Sequence, residues 1–310
     1  MNRNILTFSN KMHLLSISDL SKQELNELIF ETRRIKNNPE IYRDRLSDKS
    51  IVLIFEKPST RTKVSFEAAM FQLGGYPITL SRDMSQLSRG ETPGDSARVL
   101  SRYINAIVAR VYRHETLVEM AKNSSVPVIN ALSDLEHPCQ VISDLYTIYE
   151  LKGKFKGVKL AYVGDGNNVC NSLLLGCAML GIDISIATPL GYEPKSEIVS
   201  KAEEISNSEI KLFTLPTDAV KDADFVYTDV WVGMGNESER NERMKAFKNY
   251  QVNNELLKFA KRNCKVMHCL PANRGLEITD DMMDGNMSII WDQAENRLHA
   301  QKAILLKLIK

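Results

Sequence analysis

Residues 59–62 read Ser-Thr-Arg-Thr, directly after the apolar run IVLIF at 51–55 and the link Glu56-Lys57-Pro58. Three hydroxyls and one guanidinium thus stand where the following pattern, KVSFEAAM, predicts the mouth of a helix over 61–73. Ser59 is a competent N-cap, whereas Arg61 is a cation at the positive end of the helix dipole, disfavoured by roughly 0.3 kcal/mol or more. A bound anion removes that cost, because hydroxyls, free first-turn N–H groups and a guanidinium together make a phosphate cradle. On these residues alone, a plain cap and an anion site are both open. A second arginine, Arg110, ends the apolar run AIVAR. It is either a surface cation or, since ligands of parallel sheets gather at the carboxyl ends of strands, part of a site.

Other phosphate motifs do not fit. No GxxxxGK[ST] loop occurs. GDGNNV at 164–169 follows a strand and opens a helix, but Val169 stands where a dinucleotide fingerprint has its third glycine, and no acidic ribose partner is evident. A tight strand-to-helix turn explains it better than an oxidoreductase cofactor site.

Around these residues, short apolar runs alternate with helical patterns. Strands are expected at 51–55, 77–80, 106–111 and 126–130, with helices over 19–37, 61–73, 93–104 and 114–123. After a helix at 138–152 come strands at 158–163, 183–187, 210–214, 224–227 and 265–268, and helices near 168–180, 194–206 and 254–262. Buried strands alternating with helices specify an α/β fold of two doubly wound domains, each a central parallel sheet flanked by helices, joined by interdomain helices. The polar stretch GKFKG at 153–157 marks the seam. The expected domains are 1–150, joined by the C-terminal helix 293–310, and 151–292. At 310 residues, two domains of about 150 each is also the expectation from length.

The formal net charge of +1 gives no support for nucleic acid or an anionic membrane as partner. The five cysteines include no CxxC pair, which reads as free thiols in a reducing compartment rather than as a metal or disulfide framework. The start, MNRNILTFSNKMHLL, is too polar for a signal peptide, and no apolar run approaches membrane-span length. The expectation is a soluble, cytoplasmic protein.

PSTRTKVSFEAAM followed by LGG resembles the carbamoyl-phosphate motif of the aspartate/ornithine carbamoyltransferase family. Further pieces fall in family order: SQLSRGET, DSARVLSRY, ARVYRHE, HPCQVISDL, GDGNNV, DVWVGMG, HCLPANRG and DQAENRLHAQKA, together spanning about residues 50–305. HPCQ, DVWVGMG and HCLP resemble the ornithine branch. The resemblance implies carbamoyl transfer from carbamoyl phosphate to the δ-amine of L-ornithine, giving citrulline and phosphate, with no metal and no organic cofactor.

It also implies roles. Ser59, Thr60, Arg61, Thr62 and Arg110 would hold the phosphate, with Arg297 completing the clamp. His137 and Gln140 would bond the carbamoyl group, His137 and Thr62 on its oxygen, where donors stabilise a tetrahedral intermediate. Cys269 and Leu270 would offer carbonyls to the carbamoyl NH2, helped by a cis Leu270–Pro271 bond. Asn168 and Asp229 would take the ornithine head group, Met234 would line its pocket and Cys269 would sit near the attacking amine. Read without the family, His137 is a helix-start residue, Asp229 a cap and Cys269 a buried apolar side chain.

The nucleophile must be uncharged. A lysine-like amine of pKa ~10.4 is neutral about once in 2,500 molecules at pH 7, roughly 4.6 kcal/mol uphill. Cations nearby favour the neutral form, and the departing phosphate can accept the amine proton. One departure is Gly233, where the ornithine branch carries serine; the hydroxyl donor is lost, which predicts weaker ornithine binding and leaves putrescine or a modified ornithine as alternative acceptors. A non-catalytic paralogue is disfavoured by the presence of His137, Arg110 and the whole STRT run. Gln86 lies in an aperiodic stretch, SRDMSQLSRGET, that in the family reaches the neighbouring subunit's site, implying a homotrimer.

Overall fold

The computed structural model describes residues 13–81, 83, 85–233 and 237–310. The first unit runs α1 (Lys22–Asn37), β1 (Ser50–Phe55), α2 (Thr60–Gln72), β2 (Tyr76–Ser81), α3 (Pro93–Leu100), β3 (Ala106–Arg110), α4 (His114–Asn123) and β4 (Val128–Leu132). Its strands are parallel, in the order β2-β1-β3-β4. Ile51 to Phe55 and Ala106 to Arg110 are all buried, as central strands of a sheet covered on both faces must be.

A long helix, α5 (Pro138–Lys152), leads into the second unit. There follow β5 (Lys159–Val163), α6 (Asn168–Leu180), β6 (Asp183–Ala187), α7 (Ser196–Ile205), β7 (Ile210–Phe213), α8 (Pro216–Val220), β8 (Phe225–Thr228), α9 (Arg240–Ala246), α10 (Asn254–Leu257), β9 (Lys265–His268) and α11 (Asp280–Asp284). Its sheet is also parallel, ordered β7-β6-β5-β8-β9. The chain ends with α12 (Ile290–Leu308), which returns to pack on α5, α1 and α2.

Both strand orders reverse direction once. The first does so between β1 and β3, the second between β5 and β8, and such switch points open a crevice at the strands' carboxyl ends. The first crevice lies between the chain following Phe55 and Arg110; the second lies between the turn at 164–168 and Asp229. That second turn is tight: a Cβ on Gly166 would stand 2.2 Å from the Pro194 nitrogen, so only glycine fits.

Several boundaries differ from expectation. β4 begins at 128 rather than 126, because Pro127 cannot donate to the ladder and only its carbonyl is used, by Ile107 N–H at 2.8 Å. α3 stops at Leu100, and α10 is one turn long instead of spanning 254–262. The short helices α8, α9 and α11 have no counterpart in the sequence reading. Among the described residues, no helix is long and apolar enough to cross a membrane.

Candidate active site

At the first crevice, Ser59 caps α2, its Oγ accepting from Thr62 N–H at 3.3 Å. Arg61 projects from the first turn, half-buried, and Thr62 is fully buried. Arg110 sits at the end of β3 and is also buried. Arg297 reaches across from α12, donating from Nη2 to Thr62 Oγ1 at 2.8 Å. Burial, reinforced by the charges of Arg297 and Arg61, brings the Arg110 pKa down to about 10, and burial lowers those of Arg61 and Arg297. All three remain cations at neutral pH.

Three buried nitrogens in this crevice, Arg110 Nε, Arg297 Nε and His137 Nδ1, make no hydrogen bond among the described residues. Clustered guanidiniums with unsatisfied donors are costly in a folded chain unless an anion completes them. His137 precedes α5, where its backbone N–H donates to Ser172 Oγ at 2.9 Å, a bond that ties the first crevice to the second unit. Burial, then the charges of Arg297 and Arg110, push the His137 pKa well below the usual value. The imidazole is therefore neutral at pH 7: it can donate one hydrogen bond without surrendering a proton. One turn on, Gln140 is buried, with Nε2 donating to Asp144 Oδ1 at 2.8 Å.

At the second crevice, Asp229 follows β8 and is buried. Its Oδ1 accepts from Val230 N–H at 2.8 Å and from the Cys269 thiol at 3.0 Å, and its Oδ2 from Asn167 Nδ2 at 2.7 Å. Burial, with Asp229 beside it, pushes the Cys269 pKa far above the thiol range, so this sulfur is a donor and not a nucleophile. Asn168 stands at the start of α6, but its Nδ2 donates to Ser133 O at 2.6 Å. Asn167, which sequence reasoning passed over, is the member of the pair bonded to Asp229. The charge of Asp229 bears on both Arg61 and Arg110, so the two crevices face one another.

Cys269 and Leu270 follow β9. Leu270 has φ +60° and a cis bond to Pro271. The turn is pinned by His268, whose Nδ1 accepts from Leu270 N–H at 2.8 Å and whose Nε2 lies 3.3 Å from Glu277 Oε1. Asp229, His268 and Cys269 offer donor atoms within 4.8 Å of one another, a spacing a metal could use. Here the His268 nitrogens and the Cys269 thiol are committed to the protein bonds just given, so the trio acts as a hydrogen-bonded support.

Gly233 lies in the loop after Trp231, and a Cβ placed on it would meet nothing within 4 Å. Arg243 on α9 holds the loop's base, donating to Trp231 O at 3.1 Å, Asp165 Oδ2 at 2.9 Å and Glu239 Oε2 at 2.8 Å. Met234 falls outside the described residues. Gln86 opens a short 3-10 turn, exposed to solvent. Missed at the sequence level, beside Asn167, were Asp144, which lies in a stretch with the pattern of an ordinary helix, and Arg243, whose helix is too short to show a period.

Comparison with known proteins agrees with this layout. A family model described as the carbamoyl-P binding domain of aspartate/ornithine carbamoyltransferase matches residues 12–150, and that of its Asp/Orn binding domain matches residues 156–308. The ornithine carbamoyltransferase of Archaeoglobus fulgidus is 56% identical over 299 residues, 96% of this chain and 97% of that protein. A protein of Thermoplasma volcanium named as a catabolic ornithine carbamoyltransferase is 50% identical, covering 96% of this chain and 99% of its own. The solved structure of ornithine carbamoyltransferase from Pyrococcus furiosus superposes with a TM-score of 0.91 at 50% identity, covering 94% of this chain and 95% of that one.

Proposed function

This chain belongs to the aspartate/ornithine carbamoyltransferase family, and from that premise we propose that it transfers the carbamoyl group of carbamoyl phosphate to the δ-amine of L-ornithine, giving citrulline and phosphate. The observation that carries the reading is the convergence of Arg61, Arg110, Arg297 and neutral His137 on one crevice, where the buried Nε donors of Arg110 and Arg297 have no hydrogen-bond partner among the described residues.

The phosphate dianion lies at the mouth of α2, held by Ser59, Thr60, Arg61, Thr62 and Arg110, with Arg297 behind. Because Thr62 Oγ1 accepts from Arg297, its own proton is free for the carbamoyl oxygen, alongside the His137 N–H. Charge grows on that oxygen as the amine attacks, and these two donors meet it without reorganising. Gln140 and the carbonyls of Cys269 and Leu270 accept from the carbamoyl NH2. The ornithine head group takes Asp229 for its ammonium and Asn168 for its carboxylate, with Gly233 at the loop. The amine nitrogen forms a bond to the carbonyl carbon, the carbon–oxygen bond to phosphate breaks, and the departing phosphate receives the amine proton.

The site is completed in a homotrimer, the Gln86 turn of one subunit entering its neighbour's crevice. Supporting this, Phe71 on α2 and Tyr76 on the edge strand β2 are 80% and 68% exposed, apolar surface that a subunit interface would cover. The test of the function is stoichiometry: citrulline and phosphate appear one for one when the purified chain meets both substrates. Phosphate release without citrulline would mark a hydrolase instead.

A further inference from the structure

Asp144 lies one turn beyond Gln140 on α5, fully buried. Its Oδ1 accepts from Gln140 Nε2 and from Gln293 Nε2, each at 2.8 Å, and its Oδ2 from the Tyr227 hydroxyl at 2.9 Å. These donors come from α5, α12 and β8, so the carboxylate sits where the two units and the terminal helix meet. Such a group only accepts, so both carboxamides must turn their NH2 groups towards it. Gln293 provides an internal check: its carbonyl oxygen, facing away, accepts from His268 N–H at 2.9 Å, at the root of the turn that carries Cys269 and Leu270.

The same constraint on Gln140 has a chemical consequence. With its NH2 turned to Asp144, the Gln140 carboxamide has its carbonyl oxygen, an acceptor, left to offer the crevice. A carbamoyl NH2 is a donor, and a flipped carboxamide would set donor against donor. We propose that Asp144 is a positioning residue for carbamoyl recognition, locking the Gln140 carboxamide with its oxygen towards the substrate NH2 and, through Gln293, bracing the turn opposite. The proposal rests on the carbamoyl-transfer reading above and adds a residue that touches no substrate.

The test separates carbamoyl recognition from phosphate recognition. Asp144→Leu removes the acceptor, and kcat/KM for carbamoyl phosphate should fall about 10- to 100-fold, the effect of one misdirected hydrogen bond. Inhibition by inorganic phosphate, which has no NH2, should stay within about threefold of wild type. Asp144→Asn should restore most of the loss, its amide oxygen serving both carboxamides while its NH2 donates to the Tyr227 oxygen. Combining Asp144→Leu with Gln140→Ala should cost clearly less than the sum of the two single losses, as expected when one residue acts in part through the other. If Asp144→Leu does not fold, Asp144→Ser, too short to reach the carboxamides, takes its place in every arm. Unchanged carbamoyl-phosphate kinetics, parallel loss of phosphate affinity, additive double-variant losses or failure of Asn to rescue would each overturn the proposal. Wild-type enzyme inactive with ornithine would instead overturn the function reading, leaving a distinct signature.

Discussion

Arg61 makes no ion pair or hydrogen bond with another described side chain, although burial already disfavours its charge. It therefore contributes to the crevice rather than to the fold. Arg61→Ala should lower kcat/KM by roughly a thousandfold, the scale of losing a fixed donor to developing charge, with a melting temperature equal to or above wild type. Asp144 gives a prediction of the opposite kind. Burial raises its pKa to about 6, against the donors Gln293, Gln140 and Tyr227 and the charge of Arg297, with Cys177 and Cys269 also nearby. Because the folded value lies above the unfolded one, the group's contribution is most favourable below pH 4 and is lost as pH rises through about 6. The loss is on the order of 3 kcal/mol. Asp144→Asn does not titrate, so its melting temperature relative to wild type should climb between pH 4 and 7 and then level off. A flat difference would contradict the raised value. At this scale the sequence was legible where residue type and motif coincide, as at Arg61, Arg110 and His137. Asp144, Gln293 and Asn167 were not legible, because their importance lies in which atom of a distant residue they meet.

Each crevice is built from element ends, so the helix mouth can be tested apart from the chemistry. Removing the Ser59 cap by Ser59→Ala should cost about 1 kcal/mol of stability, read by denaturant unfolding, and should also weaken phosphate binding. The open space around Gly233 permits a direct test of its departure from the ornithine branch. Gly233→Ser should lower the ornithine KM about three- to tenfold, the range of one added hydrogen bond, and an unchanged KM would remove the idea that glycine weakens binding. The strands were readable because buried parallel strands are continuous apolar runs, as in IVLIF and AIVAR. The helices α8, α9 and α11 have five to seven residues, fewer than two full turns, and so carry no period to read. The pairing of β5 with β8, which places Asp229 opposite Asn167, is a long-range choice that no local pattern states.

For the molecule as a whole, α5 and α12 connect the first crevice to the second, and the Ser172, Gln293 and Arg297 bonds cross between elements far apart in sequence. A trimer with shared sites predicts that subunits inactivated at Gln86, mixed with subunits inactivated at Arg61 and reassembled, recover part of the wild-type activity; no recovery would mean that each chain holds a complete site. The central claim, that this fold transfers a carbamoyl group to ornithine, is met most directly by an acceptor competition. With carbamoyl phosphate saturating, ureido products from equal amounts of ornithine, putrescine, acetylornithine and aspartate are resolved and counted. Citrulline should exceed every other product by about a hundredfold or more, as expected of a site that pairs a charged head group. An equal or greater yield from putrescine, or no citrulline at all, would contradict the assignment.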